Sequence, residues 1–301
     1  MAGASSLGAA LLTLGTMAVP ATAGAGGARS YVALGDSYTS GPAIPTQLSP
    51  TTSPSAPSAC LRSSENYPSL TARSLGLTLD DVSCGGATTA DLTGQQASGI
   101  PAQISALTPS TSLITVGIGG NDLGFTSIVA NCAAYTPWGP TRVGPSCRSH
   151  YTSGGVDRML AAVRHVGAKV EAVLDDVRDR APHAEVFVVG YPDLVPPTGS
   201  GCWPSLPFSA RDLAYLRGVA TDLDTTLAAD ASRAGDHYVD MAVPSQTHTA
   251  CASDESRWVE PILPSRGSYP LHPDATGMAG MARVLETAIR STGTASTRRT
   301  A

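Results

Sequence analysis

Tyr31-Val32-Ala33-Leu34-Gly35-Asp36-Ser37-Tyr38 passes from a short apolar run into a small polar turn. The run reads as a β-strand that stops at Gly-Asp-Ser. In an open α/β sheet such a stop delivers the next side chain to the carboxyl edge of the sheet, where these folds hold their ligands. Leu77 to Ser83 repeats the pattern, and Leu113-Ile114-Thr115-Val116-Gly117-Ile118 is apolar on both faces, as a buried parallel strand must be. Val186-Phe187-Val188-Val189 and the shorter Tyr238-Val239-Asp240-Met241 complete a set of five.

Between these strands lie longer stretches of helical spacing. Val156 to Arg180 places Met159, Leu160, Val163, Val166, Val170, Val173, Leu174 and Val177 on one face, with charges on the other, and Pro182 marks its end. A second helix follows Ser209, a candidate N-cap with Asp212 three residues on, and carries Leu213, Leu216, Val219, Leu223 and Leu227. A third is expected over Ala275 to Ile289. Strand-helix alternation of this kind specifies an α/β fold with a parallel sheet covered on both faces. Pro42 to Pro57 and Cys132 to Gly155 are expected as surface loops, and the polar segment 291–301 as a disordered tail.

The chain has 301 residues, enough for a full core, a net charge of −5 and no lysine or arginine cluster. With a pI near 5.6 it carries no electrostatic footprint for nucleic acid or an anionic membrane. The first 28 residues hold no charged side chain and run from an Ala/Leu-rich stretch, Leu7 to Val19, into Pro20-Ala21-Thr22-Ala23-Gly24-Ala25. Residues 1–25 therefore read as a secretory signal with cleavage after Ala23 or Ala25. A positively charged start is missing from it, since the first basic residue is Arg29, so either the true start lies upstream or the leader is atypical. Beyond the leader no segment reaches the ~20 apolar residues of a membrane span.

Cys60, Cys84, Cys132, Cys147, Cys202 and Cys251 have neither a Cys-x-x-Cys nor a paired Cys/His spacing, which argues against zinc. An even count behind a leader indicates three disulfides formed in an oxidising compartment. Six cysteines allow 15 connectivities, and spacing alone does not choose among them. Pairing in order, 60 with 84, 132 with 147 and 202 with 251, is favoured because each pair then staples a loop-rich insertion. Each such loop would be stabilised by ~3–4 kcal/mol in the chain-entropy model.

Ser37 can act as a nucleophile only beside a base and a site for negative charge. His272, in Leu271-His272-Pro273-Asp274, lies in a late loop that can reach the same sheet edge. Gly85-Gly86 follows the second strand and Gly119-Gly120-Asn121 the third, so the amides of Ser37 and Gly86 and the Asn121 side chain could converge on one oxyanion. Blander roles stand beside these. Asp36 is expected to cap a helix rather than act as an acid or nucleophile, Asn121 and Asp122 could cap the next helix, and Thr88 and Thr89 are expected to be structural. His150, His165, His183, His237 and His248 are expected to be surface or packed residues. Trp138, Trp203 and Trp258 could line an acyl groove or pack beneath a disulfide loop.

Gly35-Asp36-Ser37, the glycine in Cys84-Gly85-Gly86-Ala87-Thr88-Thr89, Gly120-Asn121-Asp122, and His272-Pro273 with Gly277 resemble the four blocks of the SGNH/GDSL hydrolases, in order, over Arg29 to Arg290. The similarity is greatest to the secreted actinobacterial lipases and esterases with three disulfides, whose in-order pairing matches the one favoured here. The resemblance implies a flavodoxin-like three-layer α/β/α sandwich with a central parallel five-stranded sheet, Ser37 as nucleophile, His272 as base, and the Ser37 amide, Gly86 and Asn121 as oxyanion donors. The family commonly has an aspartate three residues before the histidine, where this chain has Tyr269. Some secreted members use a main-chain carbonyl instead, so a Ser37–His272 dyad is expected.

No Gly-x-Ser-x-Gly elbow, P-loop or dinucleotide-binding glycine pattern competes with this reading, and no cofactor or metal is implied. The expected protein is a secreted, monomeric carboxylic-ester hydrolase acting on lipid or other acyl esters. Two rivals use the same residues or fold: an esterase that deacetylates polysaccharides, and a secreted binding protein without catalysis. Proline-rich, disulfide-pinned loops with few aromatic residues do not suggest a sugar-stacking platform, which favours lipid-type esters.

Overall fold

The computed structural model describes Met1 and residues 28–51, 57–135, 146–198 and 201–299. The expected leader, apart from Met1, and Trp138 lie outside these residues. Five strands, β1 (Ser30–Gly35), β2 (Thr78–Asp81), β3 (Leu113–Gly117), β4 (Glu185–Val189) and β5 (His237–Val239), pair in parallel in the order β2-β1-β3-β4-β5. This is the flavodoxin-like order, in which the chain reverses its direction of winding between β1 and β3.

Successive side chains of a strand point to opposite faces, and here both faces are apolar. Val32, Leu34, Ile114, Val116, Val186 and Val188 enter one buried cluster. Tyr31, Ala33, Leu113, Phe187 and Val189 enter the other. The second strand is shorter than its apolar run suggests and leaves Thr78 and Asp80 exposed, as suits an edge strand.

The helices are α1 (Ser37–Ser40), α2 (Tyr67–Leu75), α3 (Thr89–Thr93), α4 (Phe125–Ala134), α5 (Cys147–Tyr151), α6 (Arg158–Arg180), α7 (Ala210–Ala234), α8 (Ala242–Ser245) and α9 (Ala275–Arg299). α2 and α9 pack together over the Tyr31 face, whereas α6 and α7 pair over the Val32 face. Each long helix starts where a side chain can satisfy its orphan N–H groups. Asp157 caps α6, accepting from Met159 and Leu160 at 3.0 and 3.1 Å, so the helix starts after Val156, and Leu160, expected on the apolar face, is 40 % exposed. Ser209 caps α7 by accepting from Asp212 N–H at 3.1 Å.

Two expectations are corrected. The stretch from Cys132 is not all loop: it completes α4 and contains α5, whose cap Ser146 accepts from Ser149 N–H at 3.1 Å. The last helix does not stop at Ile289 but continues to Arg299, with no proline to end it. The disulfides are Cys60–Cys84, Cys132–Cys147 and Cys202–Cys251, the in-order connectivity. Among the described residues no helix is long and apolar enough to cross a membrane.

Candidate active site

β1 ends one residue before Asp36, and a sharp turn then starts α1. Asp36 is the N-cap: its Oδ1 accepts from Tyr38 N–H at 2.8 Å. Its second oxygen accepts from the Tyr191 hydroxyl at 2.6 Å, and burial pushes the carboxyl up to about 6 despite these donors. Asp36 is thus occupied in holding the turn, as its helix-capping reading anticipates. The strand end is clamped from the side by Gln103, whose amide accepts from Gly35 N–H at 2.8 Å and donates to Gly35 C=O at 2.9 Å. Ser37 follows as the first residue of α1, 9 % exposed.

His272 comes from the loop before α9, and its Nε2 lies 2.8 Å from Ser37 Oγ. Its Nδ1 lies 2.8 Å from the Pro270 carbonyl oxygen. A carbonyl oxygen can only accept, so Nδ1 carries the proton and Nε2 offers its lone pair to the serine hydroxyl. Burial lowers the imidazole's pKa, and the hydrogen bond to Pro270 opposes that in part. The loop is held at several points. Leu271 has a φ of 59°, its carbonyl accepts from the Tyr38 hydroxyl at 2.5 Å, and Glu260 N–H donates to His272 C=O at 2.9 Å.

The three nearby acids have other partners. Glu260 lies 3.2 Å from Arg257, Asp254 lies 2.6 Å from the same guanidinium, and Asp274 accepts from Gly277 N–H at 2.8 Å in the first turn of α9. Tyr269 stands at the mouth, 44 % exposed, with its ring 6.1 Å edge-on from the imidazole. The contact to Pro270 thus fills the place of the missing aspartate.

Gly86 and Asn121 open onto the same cavity as Ser37 and His272. Gly86 has a φ of 76°, a conformation that favours glycine. Among the described residues neither the Ser37 nor the Gly86 N–H donates to a protein acceptor. Asn121 Nδ2 donates one hydrogen to Ala87 C=O at 2.9 Å, which ties the loops after β2 and β3 and leaves its second hydrogen available. Asp122 turns away and accepts from Thr89 N–H and Oγ1 at 2.8 and 2.7 Å and from Lys169 at 3.0 Å. Thr88 caps α3, so both threonines are structural.

From this polar mouth the cavity, about 290 Å³, runs under an apolar wall of Ile128 and Val129 from α4, Phe208, and Val219, Ala220 and Leu223 from α7. Neither described tryptophan is among its lining residues: Trp258 is buried and stacked on His248, and Trp203 is exposed on the Cys202 loop. None of the other five histidines reaches the cavity. Sequence reasoning did not find Gln103, Tyr191 or this wall. Gln103 and Tyr191 sit far along the chain from the turn that they hold, with no spacing that links them, although the apolar face of α7 was visible as a helix pattern.

A serine hydroxyl and an imidazole in contact at the carboxyl edge of a parallel sheet, above an apolar cavity, are the arrangement of an acyl-ester hydrolase. Residues 33–279 match the model of the GDSL-like lipase/acylhydrolase family, and the chain belongs to that family. It is a carboxylic-ester hydrolase of the lipase and esterase type. The chain is 38 % identical to Lipase 2 of Streptomyces coelicolor over 258 residues, 84 % of this chain and 83 % of that one. The crystal structure of an extracellular lipase from Streptomyces rimosus is similar with a TM-score of 0.69 at 28 % identity, covering 86 % of this chain and 99 % of that one. That of phospholipase A1 from Streptomyces albidoflavus gives a TM-score of 0.66 at 28 % identity, covering 87 % and 99 %.

Proposed function

We propose that the protein cleaves carboxylic esters with an apolar acyl chain through an acyl-enzyme on Ser37. His272 Nε2 takes the Ser37 Oγ proton as Oγ adds to the ester carbonyl carbon, and the carbonyl π-pair moves onto oxygen. The N–H groups of Ser37 and Gly86 and the free Asn121 amide hydrogen receive that charge. Collapse breaks the C–O bond to the alcohol, which leaves with the proton from His272; water then repeats the sequence and frees the acid. Throughout, Nδ1–H stays on the Pro270 carbonyl, which steadies the transient imidazolium without a carboxylate. The observation that carries this reading is the 2.8 Å contact between His272 Nε2 and Ser37 Oγ above an apolar cavity.

The wall of the cavity favours acyl-chain esters over acetylated sugars, since the side chains of Ile128, Val129, Phe208, Val219, Ala220 and Leu223 offer no hydrogen bond to a sugar hydroxyl. p-Nitrophenyl esters from acetate to palmitate, phosphatidylcholine and acetylated xylan, assayed side by side, test this. Turnover should favour the longer acyl esters, and activity confined to acetylated xylan would overturn it. Ala220, half-buried on the wall, allows a sharper test. Ala220→Phe should disfavour esters of medium and long acyl chains by about 1–3 kcal/mol, roughly 5- to 150-fold in kcat/KM, and leave acetate hydrolysis nearly unchanged. Equal loss on every ester would place the acyl chain elsewhere.

The mechanism needs neutral His272, and burial lowers its pKa. The kcat/KM of the free enzyme should therefore rise with pH through an acidic limb below about 6.5, the ordinary histidine value. Asp36, at about 6, titrates in the same range, so the limb is a macroscopic quantity. A limb above pH 7 would contradict the buried, uncharged imidazole.

Export behind a leader at residues 1–25 accords with the three disulfides, which form in oxidising compartments. We infer a monomer that binds no nucleic acid, in keeping with a net charge of −5 and the absence of a basic cluster from the sequence.

A further inference from the structure

Tyr191 follows β4 and belongs to none of the loops that carry the serine, the histidine or the asparagine. Its main chain is held from beneath, because Asp224 Oδ1 accepts from Tyr191 N–H and from the Tyr238 hydroxyl, each at 3.0 Å. Its ring stands edge-on to Tyr38 at 5.1 Å, and Tyr38 in turn bonds the Leu271 carbonyl beside His272. Its hydroxyl makes two bonds at once. It donates to Asp36 Oδ2 at 2.6 Å and accepts from Gly120 N–H at 2.9 Å.

Those two partners flank the residues of interest, Asp36 next to Ser37 and Gly120 next to Asn121. A phenol can donate and accept together, which neither a carboxylate nor a lysine can do in this geometry. Gly120 is shaped to the ring as well. A Cβ there would lie 3.1 Å from the Tyr191 hydroxyl and 3.2 Å from Cζ, so an alanine would force the loop and the ring apart.

We propose that Tyr191 is a positioning residue, one that fixes the distance between the Ser37 turn and the Gly120-Asn121 loop and so sets where the Asn121 amide meets the oxyanion. The proposal rests on the reading of Ser37 as nucleophile and Asn121 as oxyanion donor. Asn121 is fastened at its side chain by the bond to Ala87 and at its backbone neighbour by the bond to Tyr191. With the second fastening gone, Gly120 N–H and Asp36 Oδ2 lose a buried partner and the loop can relax away from Ser37. Displacement of a transition-state donor by as little as 1 Å can cost about 10²-fold in rate.

The test is a double-mutant cycle. Tyr191→Phe keeps the ring against Tyr38 and removes the hydroxyl alone. It should lower kcat on a p-nitrophenyl ester by about 10- to 100-fold with KM within about twofold. If Tyr191 acts through Asn121, the same substitution in an Asn121→Ala background should cost about threefold or less, because the donor to be positioned is already gone. A purely structural role would lower the melting temperature and leave this non-additivity absent. Equal losses in both backgrounds, or an unchanged kcat in Tyr191→Phe, would overturn the proposal. Should Tyr191→Phe not fold, Gly120→Ala separates the same pair from the other side and should show the same dependence on Asn121. An Asn121→Ala enzyme with wild-type kcat would instead sink the underlying reading, so the two failures are told apart.

Discussion

Ser37→Ala and His272→Ala are each expected to lower kcat by on the order of 10⁴–10⁶ while leaving the melting temperature close to that of the wild type. The serine hydroxyl and the imidazole act as one unit, so the double variant should be hardly slower than either single one. The nearby acids should behave differently. Asp254→Asn, Glu260→Gln and Asp274→Asn, with Tyr269→Phe, should each retain activity within about tenfold, since Nδ1 of His272 is bonded to Pro270 and not to a side chain. Replacing the aspartate of a true triad by asparagine costs about 10⁴ in the protease template, because the wrong tautomer is favoured. Glu260→Gln needs a stability measurement alongside, because the carboxylate is fully buried on Arg257 and its neutralisation weakens that pair. A collapse of kcat in any of these carboxylate variants, with the fold intact, would name a third catalytic member.

Asn121→Ala is expected to lower kcat by about 10²–10³, the loss typical of one oxyanion donor. KM should change little, because a developing negative charge is absent from the bound ester and the interaction strengthens only in the transition state. The substitution also removes the bond to Ala87, so the loops after β2 and β3 lose one tie. Single-turnover kinetics with a melting curve separates the two effects: a lower melting temperature with unchanged acylation would leave Asn121 a loop tie only. Asn121→Asp offers a further contrast, since it keeps the size of the side chain and replaces its donors with a charge that repels the oxyanion.

Much of this site was legible in the chain because its parts are local. A strand that ends in Gly-Asp-Ser, a Gly-Gly after the next strand and a Gly-Asn after the third all signal their position through turn chemistry. Parallel strands of one sheet bring those turns to a common edge. The departure at Tyr269 likewise pointed to a main-chain acceptor, and Pro270 C=O occupies that place. What stayed hidden is long-range and chemically plain. Gln103 grips Gly35 across 68 residues and Tyr191 grips Asp36 across 155, and neither residue type announces a partner at that distance. The short helices were missed for another reason: α2, α3 and α5 are nine, five and five residues long, too short for a periodicity to stand out, and they depend on caps at Asn66, Thr88 and Ser146.

The central claim is that Ser37 is activated by His272 in the native protein. A fluorophosphonate probe reacts with a serine only when a base and an oxyanion site raise its nucleophilicity. Incubation of the intact protein with such a probe, followed by peptide mapping, should place a single adduct on Ser37, abolished in both Ser37→Ala and His272→Ala. No adduct on folded wild-type protein, or an adduct that persists in His272→Ala at the wild-type rate, would contradict the account.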